Sequence, residues 1–418
     1  MISLAPLPSP QWMVHKKSSS LNLMKFSESR SSSSSFRVAC SGGSPPPTDL
    51  KFVLHEALDS AGIDTANARD GRKGFLEQIE KLTMIERGTS ISINRRVDLW
   101  KTALYIAAED DSLVSQSSVP LPVDYFAGKL FDFSMNFCTH YSSSLTRSSP
   151  EELIHSLERY LYVNNGFRRS NRENQIDPQA LYLHSVLMEG SGSAAMLSLI
   201  YSETLKVLRM WSFLDFDCEI FFPLDRFGLP RGYNKRKMKN SDQPHIVTTQ
   251  ILLQEILRNM KETFWPFQHD YLKSLFLRAA DAVNCIHRSS TEESGFGRAS
   301  ATSATRHRLD YGELTNISNG DMRLALSACE RLIMVECDPK ELRDYSILLY
   351  HCGFYDLSLQ YLKLYKEREQ TFSLQRQASN KNCHREEEAV EKLMTRLTLI
   401  SMEDGWTKPS YSSNFLQK

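Results

Sequence analysis

The sequence predicts a mostly α-helical protein of the α+β class with one small sheet. Apolar residues recur at helical spacing along most of the chain, as between Arg95 and Asp110. Two helix starts are marked by a capping residue followed by proline, in Ser149-Pro150 and in Asp338-Pro339. Asp217 to Phe222 is the best strand pattern, because β-branched and aromatic residues follow one another there.

The predicted elements are separated by recognisable breaks. Gly166 ends the helix that starts at Ser149, and Trp265-Pro266 divides two later helices. A tight turn is expected at Gly353-Phe354-Tyr355-Asp356. The predicted helices are residues 52–58, 75–82, 95–110, 149–165, 177–187, 193–208, 247–261, 269–285, 322–336, 338–352, 355–368 and 390–400.

An aromatic-rich segment, Tyr125 to Tyr141, follows a proline-rich break. Its side chains are expected to belong to the core, and a hydrophobic ligand groove is the alternative. The expected core residues are Phe126, Leu130, Phe131, Phe133 and Phe137.

The composition is that of an ordinary globular protein. The 418 residues include 50 basic and 50 acidic residues, and this zero formal charge argues against a dedicated nucleic-acid binder. No transmembrane segment is predicted, because the most apolar stretch, Met210 to Phe222, is interrupted by Asp215, Asp217 and Glu219. The eight cysteines show no Cys-x-x-Cys spacing, which indicates reduced thiols and gives no basis for a metal or another cofactor.

Residues 1–40 have the composition of a chloroplast transit peptide. They contain twelve serines and five basic residues but a single acid, Glu28, and cleavage is expected near Cys40. The predicted location is therefore the chloroplast stroma; a disordered cytosolic tail is the alternative reading. Removing this segment leaves 45 basic and 49 acidic residues, so the mature chain is mildly acidic.

The remaining chain divides by composition into an N-terminal extension with helices (41–93), a core domain (94–287), a Ser/Thr/Gly-rich flexible linker (288–318), a helical-hairpin region (319–371) and a tail with one helix (372–418). The hairpin resembles a tetratricopeptide repeat, with Tyr345, Gly353, Tyr355 and Ser358 at its marker positions. About three repeats are needed for an independent repeat core, so this shorter region is expected to pack on the first domain.

Three segments between residues 95 and 223 together resemble the SirB-type transglutaminase-like family. The first is Ala103 to Asp110, and the second is Leu161 with Gly166-Phe167, Asp177-Pro178 and Leu183 to Leu187. The third is Gly192 with Leu197 to Tyr201. Members of this family often carry tetratricopeptide repeats at the C-terminus, which agrees with the hairpin region.

The resemblance implies a transglutaminase-like core without its catalytic groups. Such enzymes need a cysteine at the start of the core helix and a histidine on a following strand. Here the helix opens Ser193-Ala194-Ala195-Met196, and Pro223-Leu224-Asp225-Arg226 stands where the family has Pro-Gly-His-Phe. We therefore expect no enzyme and no catalytic residue, but a binding scaffold for the assembly, regulation or turnover of plastid proteins. The family's core also occurs in a eukaryotic ubiquitin-ligase subunit, which by analogy favours substrate recognition.

A residual thiol hydrolase is the second hypothesis. In it, Cys218 would take a base from His245 and an orienting carboxylate from Asp242; Ser193 is a further candidate nucleophile. A strand cysteine between apolar neighbours is more typical of core packing, so Cys218→Ser is expected to leave function intact.

A cluster of cations with an aromatic residue follows the predicted strand. It is read as a solvated insertion; RNA or an acidic protein partner are the alternatives, and RNA affinity would fall steeply with salt. The candidate interaction residues are Arg226, Arg231, Tyr233, Lys235, Arg236, Lys237 and Lys239.

Three consecutive acids, Glu109, Asp110 and Asp111, end a predicted helix. Negative charge is unfavourable at a helix C-terminus. A solvated helix end and an ion pair with a basic group elsewhere in the chain are both compatible with the sequence.

Overall fold

The computed structural model describes residues 50–115, 117–145, 149–170, 177–225, 227–268, 272–288, 320–373 and 381–406. Helices dominate these ranges, which confirms the mostly α-helical class. The predicted transit peptide, the predicted cleavage point near Cys40 and nearly all of the predicted linker lie outside them. The helices are α1 (Leu54–Ser60), α2 (Ala66–Glu80), α3 (Met84–Gly88), α4 (Leu99–Ser115), α5 (Val123–Leu145), α6 (Pro150–Glu158), α7 (Leu183–Glu189), α8 (Ala194–Met210), α9 (Thr249–Phe264), α10 (Leu275–Arg288), α11 (Met322–Val335), α12 (Pro339–His351), α13 (Tyr355–Ser373) and α14 (Lys381–Trp406).

Among the residues that the structure describes, the strands form two small two-stranded sheets. Strands β3 (Cys218–Phe221) and β4 (Arg231–Asn234) form an antiparallel hairpin with Cys218 opposite Asn234, at the predicted strand. The second sheet was not predicted: β1 (Arg168–Arg169) and β2 (Ser191–Gly192) pair in parallel over two residues. A strand of two residues is too short to show the alternation of apolar and polar residues from which strands are predicted.

Local capping explains why several helix starts could be read from the sequence. The Ser149 side chain accepts the backbone N–H of Glu152, and the Glu152 side chain completes the capping box. Asp338 accepts the N–H of Lys340 in the same way at the start of α12. By contrast, Asp177-Pro178 opens only a short 3₁₀ turn, because Tyr182 adopts an extended conformation before α7.

The aromatic segment lies in α5 and is mostly core. Phe126, Leu130 and Phe137 are buried, and Phe133 packs against the ring of Phe167 with centroids 5.4 Å apart. Phe131 was wrongly assigned to the core, since 42% of it is exposed. The aromatic rings of this segment pack on one another and on aromatic rings in the chain between α6 and β1. This packing supports the assignment of the segment to the core.

The C-terminal helices pack directly on the rest of the protein. Helix α11 runs along α9, and the apolar core around α4 and α8 includes Leu324, Ala328 and Leu332 of α11. The hairpin of α12 and α13 closes at Gly353, whose φ is +81°, and the buried Ser358 hydroxyl donates to the Ser346 carbonyl at 2.7 Å. The expected packing of this region on the first part of the chain is confirmed.

A buried ionic network joins α2, α4 and α11. Glu109 binds both Arg72 (2.6 Å) and Arg331 (2.9 Å), and Asp110 accepts a second contact from Arg331 at 2.6 Å. Arg72 also pairs with Glu330 at 2.9 Å. The ion-pair interpretation is therefore right for Glu109 and Asp110, and the solvated one is wrong for them; the predicted helix end is also wrong, because α4 continues to Ser115.

The charges in this network shift one another's pKa values. Burial by itself raises the pKa of Glu109, but Arg331 and Arg72 outweigh that effect and hold it well below its ordinary value. Burial raises the pKa of Asp110, and Arg331 offsets only part of the increase. The two guanidinium groups therefore favour the charged form of Glu109 inside the protein.

No helix in the described ranges is both long and apolar enough to cross a membrane. Across the same ranges, His, Cys, Asp and Glu side chains do not gather into any group of three that could hold a metal ion.

Candidate functional site

An open groove of about 670 Å³ lies between helix α6 and the β3–β4 hairpin. One wall is a single face of α6, formed by residues that recur at intervals of three and four positions. The other wall is strand β4 together with the loop that precedes it. Glu151, Ile154, His155 and Glu158 line the helical wall, and Phe221, Pro223, Asp225, Gly228, Leu229, Arg231, Gly232, Tyr233, Asn234, Lys237 and Asp242 complete the groove.

Backbone and side-chain hydrogen bonds fix the hairpin against α6. Gly232 N–H points away from β3 and donates to Glu158 Oε1 at 3.1 Å. The Tyr162 hydroxyl, in the π-helical turn after α6, donates to the Pro230 carbonyl. A Cβ on Gly232 would collide with the buried Tyr201 hydroxyl and lie 3.2 Å from Ile154, so only glycine allows this approach.

The predicted basic residues separate into two groups. Arg231, Tyr233 and Lys237 line the groove, whereas Lys235, Arg236 and Lys239 do not. Arg226 lies outside the described residues.

Local carboxylates compensate part of this positive charge. Lys237 pairs with Glu151 at 2.5 Å, and Lys235 lies 3.6 Å from Glu219. These contacts reduce the cationic surface available to a phosphate backbone.

The groove also contains carboxylates that the charge run in the sequence did not reveal. Glu151, Glu158, Asp225 and Asp242 all line it, so the groove contains both basic and acidic groups. Burial raises the pKa of Glu158, while the Gly232 N–H and Arg231 lower it by less. The spacing of Glu151 and Glu158, seven residues apart on one helix, was the only signal for a shared face.

The groups proposed for a thiol hydrolase do not meet. Cys218 and Ile220 point to the buried side of β3, and alternation along the strand places Phe221 on the opposite side. The His245 ring stacks on Phe221 with centroids 3.8 Å apart, and its Nδ1 lies 2.9 Å from the Phe222 carbonyl. Cys218 and His245 therefore belong to opposite faces of the hairpin.

The other hypothetical members have structural roles. Asp242 accepts the backbone N–H of Lys239 at 2.9 Å and thereby caps a short 3₁₀ turn. Ser193 caps α8, where its hydroxyl accepts the Met196 N–H at 3.3 Å. Nothing in this arrangement would activate either hydroxyl or thiol as a nucleophile.

We expect Cys218 to resist thiol reagents in the folded protein. Burial raises its pKa to about 12, and its side chain is fully buried. At about pH 8 only about one molecule in 10⁴ would carry Cys218 in the reactive thiolate form. Peptide mapping after iodoacetamide treatment should find Cys218 unmodified in the native protein and modified after denaturation. Rapid native labelling would contradict the buried geometry.

Comparisons with curated proteins and with solved structures gave no match. A family model does match within the chain, and it covers the second and third segments of the resemblance described above but not the first. The matched region extends from α5 to the end of α8 and includes the α6 wall of the groove. Residues 129–210 match the Transglut_core2 model of the transglutaminase-like superfamily.

Proposed function

We propose that this protein is a non-catalytic, protein-binding scaffold or adaptor of the chloroplast stroma, acting in the assembly, regulation or turnover of plastid proteins. Residues 1–40 would direct import and be removed near Cys40. The SirB-type resemblance of the core and the tetratricopeptide-like hairpin of α12 and α13 both favour a binding role. The same role in substrate recognition is suggested by analogy with the ubiquitin-ligase subunit.

The observation that carries the proposal is the separation of Cys218 from His245 on the two faces of the hairpin. With Ser193 engaged as a helix cap, none of the groups considered for a thiol hydrolase forms a nucleophile–base pair. The hairpin that separates them forms one side of an open groove, whose lining includes neither Cys218 nor Ser193.

The groove is suited to a segment of another protein. Its apolar surface comes from partly buried groups such as Phe221 and Leu229, and its lining combines carboxylates with Arg231 and Lys237. Mixed charge of this kind selects a partner by matching both signs, which a polyanion such as RNA cannot do.

The test is recovery of partners by a tagged mature chain from stroma, after mild crosslinking and with mass-spectrometric identification. A bulky substitution at the exposed His155, His155→Trp, should fill the groove without disturbing the core. We expect a set of proteins to be recovered with the unmodified chain and with Cys218→Ser, and to be lost with His155→Trp.

Lys363→Trp, at an exposed position of α13 far along the chain from the groove, serves as the matched control and should retain the partners. Partners lost with Cys218→Ser but retained with His155→Trp would contradict the proposal and favour a thiol hydrolase. Partners lost on nuclease treatment would instead favour an RNA-associated factor.

A further inference from the structure

A second groove, of about 620 Å³, lies between helices α10 and α14 and shares no residue with the first. Its lining comes from the end of the chain segment before α10, from α10 itself and from one stripe of α14. The lining residues of α14 are Arg385, Glu388, Ala389, Lys392, Leu393, Thr395, Arg396 and Leu399.

The length of this groove would accommodate a short helix. The α14 residues recur at intervals of three and four, so they form one continuous face. From Arg385 to Leu399 this face is about 21 Å long at the ~1.5 Å rise of an α-helix, or about four turns. Helix α10 supplies the opposite wall through Leu277, Ala280 and Asp281.

The floor of the groove is apolar. Val283 and Leu393 are buried at its base, while Leu399 remains 56% exposed at one end. An exposed leucine at the end of an apolar trough is the kind of surface that an amphipathic helix covers.

The rim of the groove carries an excess of positive charge. Lys273 is paired with Asp281 at 2.9 Å, and Lys392 is paired with Glu388 at 2.7 Å. Arg385 and Arg396 also line the groove, and neither has a carboxylate partner among the described residues.

We propose that the α10–α14 groove binds an amphipathic helix of a partner protein, with leucine-like residues facing the apolar floor and glutamate or aspartate on both flanks. The two arginines favour acidic flanks and oppose basic ones. This surface is independent of the α6–hairpin groove, so either can fail while the other holds.

The test uses a synthetic helical peptide of about five turns, with leucines at intervals of three and four and glutamates on either side. Binding to the full mature chain is measured by fluorescence anisotropy at several salt concentrations. A second peptide with lysine in place of every glutamate is the charge control. We expect the acidic peptide to bind, the basic peptide to bind at least about tenfold more weakly, and the difference to shrink as salt rises.

Two variants locate the site. Arg385→Glu combined with Arg396→Glu should weaken the acidic peptide by about tenfold or more and strengthen the basic one. Lys340→Glu combined with Lys363→Glu changes the net charge equally at exposed positions outside the groove, and it should leave affinity nearly unchanged. His155→Trp, in the other groove, should also leave the affinity for the acidic peptide unchanged.

Hydrogen exchange should slow in α10 and α14 when the acidic peptide is bound. Equal loss of affinity in both double variants would overturn the proposal, because it would reveal attraction to net charge alone. Concentration-dependent self-association abolished by Arg385→Glu and Arg396→Glu would overturn it as well, by identifying a second copy of the chain as the occupant.

Discussion

Replacing Arg331 by methionine is expected to lower the free energy of unfolding by about 3–5 kcal/mol. Arg331 is completely buried, and it binds both Glu109 and Asp110. Methionine fills much of the same volume, so the cavity cost is small. The loss comes from two carboxylates that remain buried with less compensation, since Arg72 is shared with Glu330.

The pH dependence of this variant distinguishes a charge effect from a packing effect. In the unmodified protein the lowered pKa of Glu109 stabilises the fold above its unfolded pKa, and that contribution is lost as pH falls through the folded pKa. Without Arg331, burial is opposed at Glu109 mainly by Arg72, and Asp110 loses the guanidinium that lowers its pKa, so we expect both pKa values to rise and both carboxyls to become protonated more easily in the folded state. The stability deficit of Arg331→Met should therefore shrink as pH falls from about 7 toward about 4.

Urea unfolding followed by circular dichroism at several pH values measures both quantities. The control is Lys392→Met, which removes an exposed pair with Glu388 and should leave the stability nearly unchanged at every pH. A deficit of Arg331→Met that stayed constant with pH would show that packing, not charge, is the source of the loss.

Replacing Gly71 by alanine is expected to destabilise the protein by about 2 kcal/mol, although alanine favours helices. Gly71 lies where α2 meets α4, and a Cβ there would come within 2.8 Å of the Glu109 backbone nitrogen. A backbone atom cannot move aside alone, so α4 must shift and carry Glu109 away from Arg72 and Arg331.

Gly128 provides the opposite case within the same protein. It lies in α5, and a Cβ added there meets nothing within 4 Å, so Gly128→Ala should stabilise by up to about 1 kcal/mol. The two variants have the same chemistry and are expected to move the thermal midpoint in opposite directions. An increase in the midpoint for both would show that α2 and α4 are not as closely packed as described.

The features predicted correctly from sequence are those determined by neighbouring residues. Ser149 caps a helix through a residue three positions later, and Asp338 does so through Lys340. Glu109 and Asp110 could not be interpreted in this way, because Arg331 is separated from Asp110 by 221 positions. Their partner is determined by the packing of α11 on α4, which no local pattern encodes.

The candidate groove shows the same limit. Its basic side was visible as a charge run, whereas Glu158 joins it only because Gly232, 74 positions away, donates to that carboxylate. The exposure of Phe131 likewise follows from which neighbours cover its ring, whereas the burial of Cys218 agrees with the core packing expected from its apolar neighbours. Periodicity in the sequence identified the helices and the first strand of the hairpin. The assignment of Cys218 and His245 to opposite faces of that hairpin required the register of β3 and β4.

The contact between Arg331 and Asp110 also links the stability of two distant parts of the chain. Asp110 receives its guanidinium from a residue 221 positions later, so α4 holds a buried carboxylate without that partner whenever α11 is undocked. Opening of α11 is therefore expected to weaken the helices at the other end of the chain, and the two parts should unfold as one cooperative unit.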